Sequence, residues 1–141
     1  MQYKRVMAID YGDVRIGIAL SDMLQIISSP YETYKRINIQ KDLEHISQII
    51  KDKEVDTVVI GLPLNMDGSE GVRAEVTREF GDLLLSDNPN IKLIYQDERL
   101  SSVEAEDILL EANVKRDKRK QLIDQIAAQI ILQSYLDSVK K

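Results

Sequence analysis

The chain has 141 residues, enough for one domain with a sizeable buried core. Apolar residues make up 43% of it and charged residues 30%, which excludes a disordered protein, and the absence of cysteine excludes disulfides and thiolate metal sites. The net charge of -5 argues against a generic nucleic-acid coat protein, although a clustered basic patch would still allow binding.

Residue periodicity predicts strands first and then alternating helices and strands. A tight turn at Gly12 and Asp13 joins the first two strands, and Pro30 places the third at a sheet edge. The predicted elements are strands over 3–10, 14–20 and 26–36, a helix from Asn38 to about Lys53, a strand over 57–60, a helix ending near 86, a strand over 91–95, a helix over 101–112, and a long helix that follows 115–120 and ends near 138. This order predicts one α/β domain, 1–141, with a mixed five-stranded sheet of three antiparallel and then two parallel strands.

The N-terminus and the apolar runs predict the location. The residues M-Q-Y-K-R lead directly into a strand pattern without a signal-peptide core, and no apolar run approaches the roughly 20 residues that span a bilayer. We therefore expect a cytoplasmic protein with no membrane partner.

Carboxylates occur where predicted strands end. Asp10 ends the first strand, Asp97 and Glu98 follow the last one, and Asp124 lies among apolar residues of the final helix. Arg15 could neutralise Asp10, but several carboxylates brought together would favour a divalent cation. Oxygen ligands without His or Cys select Mg²⁺ or Mn²⁺, and two such ions about 4 Å apart would suit phosphodiester cleavage.

A second set of residues is predicted to contact nucleic acid. The loop over 61–71 is rich in Gly, Pro and Asn and offers polar groups to phosphate. Five cations fall within the six residues 115–120, and Tyr11 is the aromatic residue placed to stack on a base. The candidate nucleic-acid contacts are Tyr11, Arg15, Asn65, Ser69, Arg99, Lys115, Arg116, Lys118, Arg119 and Lys120.

Each of these signals also has a structural interpretation. Asp10 could pair with Arg15 or cap a turn, and Asp124 could pair with Lys120 one helical turn away. The acidic residues near 97 could favour the positive end of the following helix, and the basic run could be a solvated turn between helices.

Four segments of the chain resemble the signature segments of the YqgF/RuvX family. They are A-I-D-Y-G-D-V-R-I-G-I-A-L-S-D, V-I-G-L-P-L-N-M-D-G-S-E-G, Q-D-E-R-L-S-S and D-Q-I-A-A-Q-I-I-L-Q-S-Y-L. The resemblance covers essentially the whole chain and implies an RNase H-like fold, a cytoplasmic location and a metal-dependent nuclease. It further implies an acidic triad of Asp10, Glu98 and Asp124, and processing of the 5′ end of pre-16S rRNA or resolution of Holliday junctions.

The strand order of that fold predicts a difficulty for Glu98. The fifth strand lies two positions from the first, roughly 10 Å at standard strand spacing, so Glu98 must reach back across a strand to meet Asp10. Asp97 is the alternative ligand.

Other functions and assemblies compete with this interpretation. The pattern D-Y-G-x-x-x-I-G also resembles the phosphate-binding hairpin of actin- and hexokinase-like ATPases, but those proteins duplicate the core and this chain has one copy. A non-catalytic nucleic-acid-binding domain is the second rival. Pre-rRNA and branched DNA both stay open as substrates, and a junction resolvase would act as a C2 homodimer because it must cut two strands symmetrically.

Overall fold

The sheet is mixed, and its strand order is β3-β2-β1-β4-β5. The computed structural model describes residues 4–98 and 101–139. Its elements are β1 (Arg5–Tyr11), β2 (Arg15–Ser21), β3 (Ser28–Lys35), α1 (Ile39–Asp52), β4 (Val55–Leu62), α2 (Val72–Asp87), β5 (Lys92–Asp97), α3 (Ser101–Glu111) and α4 (Arg116–Ser138). Strands β1 to β3 pair antiparallel and β4 and β5 pair parallel, which confirms the predicted sheet.

Local chemistry explains where the first elements begin and end. The amide of Gly12 donates to the Arg15 carbonyl at 3.0 Å and closes the predicted turn between β1 and β2. Pro30 lies in the edge strand β3, where the ladder is irregular opposite Ile18 and Ala19 and a missing N–H is tolerated. The Asn38 side chain accepts from the amide of Lys41 at 2.9 Å, so the predicted N-cap of α1 is also confirmed.

The two faces of the sheet bury different apolar sets. Alternation along β1 sends Met7 and Ile9 into the core that includes buried residues of α1 and α2, whereas Val6 and Ala8 face α4. Ala127 and Ala128 of α4 are fully buried, and such small side chains let the helix lie close to the sheet.

The strand boundaries differ from the prediction by one or two residues, and two differences change how the candidate site is described. Strand β4 continues through Leu62, because Gly61 and Leu62 still pair with β5, so the loop begins at Pro63. Helix α4 begins at Arg116, so the basic run 115–120 forms the start of the helix rather than a turn before it. Lys and Arg are good helix formers and can extend a helix into such a run. Among the helices in the described parts of the chain, none has the length and apolar content to cross a membrane.

Candidate active site

Asp10 faces α4 from the middle strand of the sheet. Its cross-strand partner on β2 is Gly17. On the other side, Ile9 pairs with Ile60 of β4, so Gly61 lies next in register beside Asp10. A carboxylate is thus flanked by two residues that have no side chain, which leaves room above the sheet on both sides.

Gly17 makes room for Asp124. A Cβ atom at position 17 would overlap the carbonyl oxygen of Asp124, so the backbone of α4 lies directly on β2 at this point. A glycine inside a strand often marks such a close approach of another backbone. The approach places the carboxylate of Asp124 near enough for its charge to raise the pKa of Asp10.

Gly61 makes room for Glu98. A Cβ atom at position 61 would lie 2.5 Å from Oε2 of Glu98, so this side chain crosses β4 over the glycine. Glu98 thereby reaches Asp10 and forms a side-chain hydrogen bond with it. The space over Gly61 resolves the difficulty of the two-strand separation. Asp97, by contrast, is the last residue of β5 and is exposed.

The Asp10–Glu98 pair is electrostatically unusual. Two ionised carboxylates can only accept hydrogen bonds, so the bond between them requires a proton on one of them. Burial is the main cause that raises the pKa of both groups, and the hydrogen bond lowers the pKa of Asp10 while raising that of Glu98. The two carboxyl groups therefore share one proton, and burial of both favours this protonated pair over two separate charges.

Asp124 has a cationic partner of its own. Nε of Arg15 donates to its Oδ2 at 2.8 Å. The sequence offered Arg15 as a partner for Asp10 and Lys120 as a partner for Asp124, but the crossing of α4 over β2 brings Arg15 to Asp124 instead. Within the described residues, no group of three or more acidic or histidine side chains is arranged to hold a metal ion.

The chemistry of these donors nevertheless fits a hard divalent cation. Asp10, Glu98 and Asp124 offer only oxygen atoms, and the first two already require a positive charge between them, which the proton supplies. A cation could take the place of that proton, and Asp124 could join it after release from Arg15.

Arg73 belongs to the site, although it was not among the residues predicted from the sequence. It lies in the first turn of α2, where Nη2 donates to the Tyr11 carbonyl at 3.2 Å and the guanidinium pairs with Asp13. Its charge lowers the pKa values of Asp10 and Glu98, opposing the effect of burial. A signal existed: a cation is disfavoured at a helix N-terminus, so an arginine there implies a specific partner.

Tyr11 is not available to stack on a base, and this prediction is wrong. Alternation along β1 turns its ring away from Asp10 and into the core, where only 5% of the residue is exposed. The ring stacks on Phe80 at a centroid distance of 4.2 Å, and the guanidinium of Arg36 lies 4.6 Å from its centroid.

The loop after β4 is held by its own polar groups. Leu64 and Glu70 form an isolated antiparallel bridge, and the amide of Asn65 donates to the Ser69 carbonyl at 2.8 Å. The Asn65 side chain donates to Oγ of Ser69 at 3.0 Å, and that hydroxyl donates to Asp67 at 2.6 Å. These bonds give Asn65 and Ser69 a structural role, and both residues are exposed.

The basic run divides into exposed residues and one with a structural contact. Lys115, Arg116 and Lys118 are exposed at the start of α4. Arg119 is half-buried and donates from Nη1 to the Val114 carbonyl at 3.0 Å, which ties α4 to the turn after α3. The predicted contacts at Arg99 and at the side chain of Lys120 lie outside the described residues.

The arrangement of the strands is shared with Holliday junction resolvases of known structure. RuvC of T. thermophilus in complex with a Holliday junction substrate matches with a TM-score of 0.60 at 11% identity, over 96% of this chain and 95% of that one. A Fowlpox virus resolvase in complex with Holliday junction DNA matches with a TM-score of 0.61 at 13% identity, over 97% and 99%. At these identities the likeness defines the class of fold, which is RNase H-like.

Sequence similarity then defines the family. The family model described as "RuvX: Holliday junction resolvase" matches residues 4–138, and the chain belongs to this family. A protein of Halothermothrix orenii is 48% identical over 137 residues, 97% of each chain, and one of Clostridioides difficile is 46% identical over 133 residues, 94% of each. Both relatives bear the name "Putative pre-16S rRNA nuclease". The predicted family and the predicted class of enzyme, a hydrolytic nuclease, are confirmed.

Proposed function

We propose that the chain hydrolyses phosphodiester bonds of nucleic acid at a site formed by Asp10, Glu98 and Asp124, with a divalent cation as cofactor. One observation carries the proposal: carboxylates from three separate elements converge where Gly17 and Gly61 leave space for them. A merely structural carboxylate would be paired with a cation, whereas Asp10 and Glu98 are hydrogen-bonded to each other.

The residues have separable roles in this proposal. Asp10 and Glu98 would hold Mg²⁺ or Mn²⁺ in place of their shared proton, and Asp124 would complete the ligand set. When bound, the cation supplies charge stabilisation to the phosphate and activates water for attack. Arg15 holds Asp124 in position beforehand, and Gly17 and Gly61 keep the carboxylates close together over the sheet.

We propose that the substrate is the 5′ end of pre-16S rRNA. The names of relatives that are 46 to 48% identical over nearly the whole chain support this choice. The description of the family favours a second candidate, the Holliday junction, which would require a homodimer that cuts both strands symmetrically. The single domain and the cytoplasmic location stay predictions.

The decisive experiment offers the purified protein two labelled substrates, a pre-rRNA leader and a four-way DNA junction, each with Mg²⁺ or Mn²⁺. We expect cleavage of the RNA that disappears with EDTA and with Asp10→Asn. Symmetric cleavage of the junction alone, together with a dimer in sedimentation, would replace the RNA proposal with the resolvase one.

Binding of the cofactor is measured separately by isothermal titration of Mn²⁺ into the wild type and Asp10→Asn. We expect affinity in the millimolar-to-micromolar range that the substitution weakens and that falls at acid pH, because protonated carboxyls do not ligate. Nucleic-acid binding without cleavage, and without a difference between the two titrations, would indicate a non-catalytic binding domain.

A further inference from the structure

We propose that Arg73 binds the scissile phosphate with the guanidinium that, in this structure, pairs with Asp13 and donates to the Tyr11 carbonyl. This inference deepens the proposed nuclease function and rests on it. Arg73 is then a catalytic residue, because it would contact the substrate at the reacting group.

The position of Arg73 places its charge at the edge of the site. Its Nη2 atom donates to the carbonyl of Tyr11, the residue that follows Asp10 in β1. The guanidinium therefore lies one residue beyond Asp10, at the end of the sheet where Glu98 also leaves β5. Its positive charge acts on both Asp10 and Glu98.

The charge of the substrate favours such a cation. A phosphodiester is anionic, and the site surrounds it with three acidic side chains. A guanidinium offers several N–H donors in a planar fork that matches two phosphate oxygens. Nη2 of Arg73 donates to the Tyr11 carbonyl, and this bond would orient the rest of the guanidinium toward the phosphate.

The present partner of Arg73 is readily exchanged. The side chain of Asp13 is 79% exposed and that of Arg73 is 42% exposed, so their ion pair stands in water. Exposed pairs contribute little to stability, and a phosphate group can displace a solvated carboxylate. Stability alone therefore gives little reason for an arginine in the first turn of α2, where the helix dipole opposes it.

Arg78, on the same helix, provides a matched control. Its side chain is 43% exposed, but its nitrogens bind both oxygens of Glu70 at 2.7 and 3.0 Å. Its guanidinium also lies 4.7 Å from the ring centroid of Tyr95. Arg78 thus has the same chemistry and exposure as Arg73, with contacts that hold the loop to α2.

The experiment compares Arg73→Ala, Arg73→Lys and Arg78→Ala. The readouts are cleavage of labelled pre-rRNA leader and four-way junction with Mn²⁺, binding of single-stranded RNA in EDTA, and Mn²⁺ titration. We expect Arg73→Ala to lower kcat/KM about 100-fold, Arg73→Lys about tenfold because the charge stays and the fork is removed, and Arg78→Ala less than about twofold. RNA binding in EDTA should fall for Arg73→Ala and not for Arg78→Ala.

The Mn²⁺ titration separates a phosphate-binding role from a scaffold role. Removal of a positive charge beside Asp10 and Glu98 should leave Mn²⁺ affinity unchanged or increase it, whereas a disturbed site would bind Mn²⁺ more weakly. Weaker Mn²⁺ binding by Arg73→Ala, or equal losses of kcat/KM for Arg73→Ala and Arg78→Ala, would overturn the inference.

Two further comparisons keep the test independent of folding and of the proposed function. Asp13→Asn releases Arg73 from its carboxylate, and we expect it to strengthen RNA binding about twofold or more; weaker binding contradicts the inference. If the wild type cleaves neither substrate, the proposed nuclease function fails, while the binding series in EDTA still decides whether Arg73 contacts phosphate.

Discussion

Asp42 and the Asp10–Glu98 pair are carboxyl groups withdrawn from solvent at two places in the molecule. Asp42 is fully buried in α1 and accepts from Nε of Arg36 at 2.8 Å and from the amide of Ile37 at 3.0 Å. Burial by itself would raise the pKa of Asp42, but these bonds outweigh it and lower the pKa below its usual value. At Asp10 and Glu98 the net effect is the opposite, and the pKa of each is raised.

The difference distinguishes a structural carboxylate from a functional one. Arg36 balances the charge of Asp42, and its other nitrogen donates to the Gly12 carbonyl at 3.1 Å, so the pair supports the turn between β1 and β2. Asp10 and Glu98 face each other and Asp124, and Arg73 compensates them only in part. A proton now supplies the missing positive charge, and a divalent cation can take its place.

Breaking the functional site should have the largest effect on activity. We expect Asp10→Asn and Asp124→Asn each to lower kcat about 1,000-fold or more while the protein stays folded, since they remove charge stabilisation of the transition state. Asp42→Asn, compared below the temperature where it unfolds, should keep a rate within about threefold of wild type. If Asp42→Asn lowered kcat as much as Asp10→Asn, the distinction between a structural and a functional carboxylate would be wrong.

The two neighbouring acids at the end of β5 sharpen the assignment. We expect Glu98→Gln to lower kcat about 100-fold and Asp97→Asn less than about threefold, because only Glu98 crosses Gly61 to reach Asp10. Single-turnover cleavage at saturating substrate measures both. An inactive Asp97→Asn beside an active Glu98→Gln would transfer the role to Asp97.

Breaking the structural pair should reduce stability. We expect Asp42→Asn to lower the free energy of unfolding by about 2 to 3 kcal/mol at pH 7, because Arg36 loses its charged acceptor. Urea denaturation of the wild type, this variant and the exposed control Glu44→Gln measures it.

The stability that Asp42 contributes should depend on pH in a defined direction. Its pKa is lowered on folding, so the contribution is complete above the unfolded-state pKa of about 4 and is lost as pH falls through the lower folded-state value. The gap between wild type and Asp42→Asn should therefore shrink in acid. A gap that widens as pH falls would contradict the assigned shift.

The glycine beside Asp10 offers a smaller perturbation. We expect Gly61→Ala to lower kcat about tenfold by pushing Glu98 away, since the new Cβ would meet a flexible carboxylate and the Cδ1 atom of Ile131. In a Glu98→Gln background the same substitution should cost little further activity. Additive losses of kcat for Gly61→Ala and Glu98→Gln would argue against displacement of Glu98 by the new Cβ atom.

Gly17→Ala should affect stability instead. It forces the backbone of α4 outward, and we expect it to lower the free energy of unfolding by about 1 to 3 kcal/mol.

The smallest effect concerns the cations at the start of α4. Neutralising Lys115, Arg116 and Lys118 should flatten the salt dependence of RNA binding by about 0.7 in log–log slope for each phosphate that is no longer neutralised. Arg119→Ala should mainly lower stability, because its guanidinium holds the Val114 carbonyl. Binding across a salt series measures the slope. An unchanged slope would mean that the exposed cations are solvated at the helix start and do not contact RNA.

Local sequence signals were sufficient to predict the elements and the acidic residues of the candidate site. Alternating apolar residues, Pro30 and the Asn38 cap predict strands, an edge and a helix start correctly, because each depends on neighbours in the chain. Asp10, Asp97 and Glu98 were recognisable as acids at strand ends, and the family resemblance then selected Glu98 over Asp97. These are properties that a few consecutive residues determine.

Tertiary structure alone decided which side chains meet. The register of β1 with β2 and β4 puts Asp10 between Gly17 and Gly61. The close approach of α4 to β2 lets Arg15 pair with Asp124. The ring of Tyr11 points into the core, contrary to the prediction that it stacks on a base. The packing of α2 brings Arg73 to the site. Such contacts join residues far apart in the chain, and no local pattern specifies them. Electrostatic role follows from these contacts, because a carboxylate is structural or functional according to the charges that the fold brings beside it.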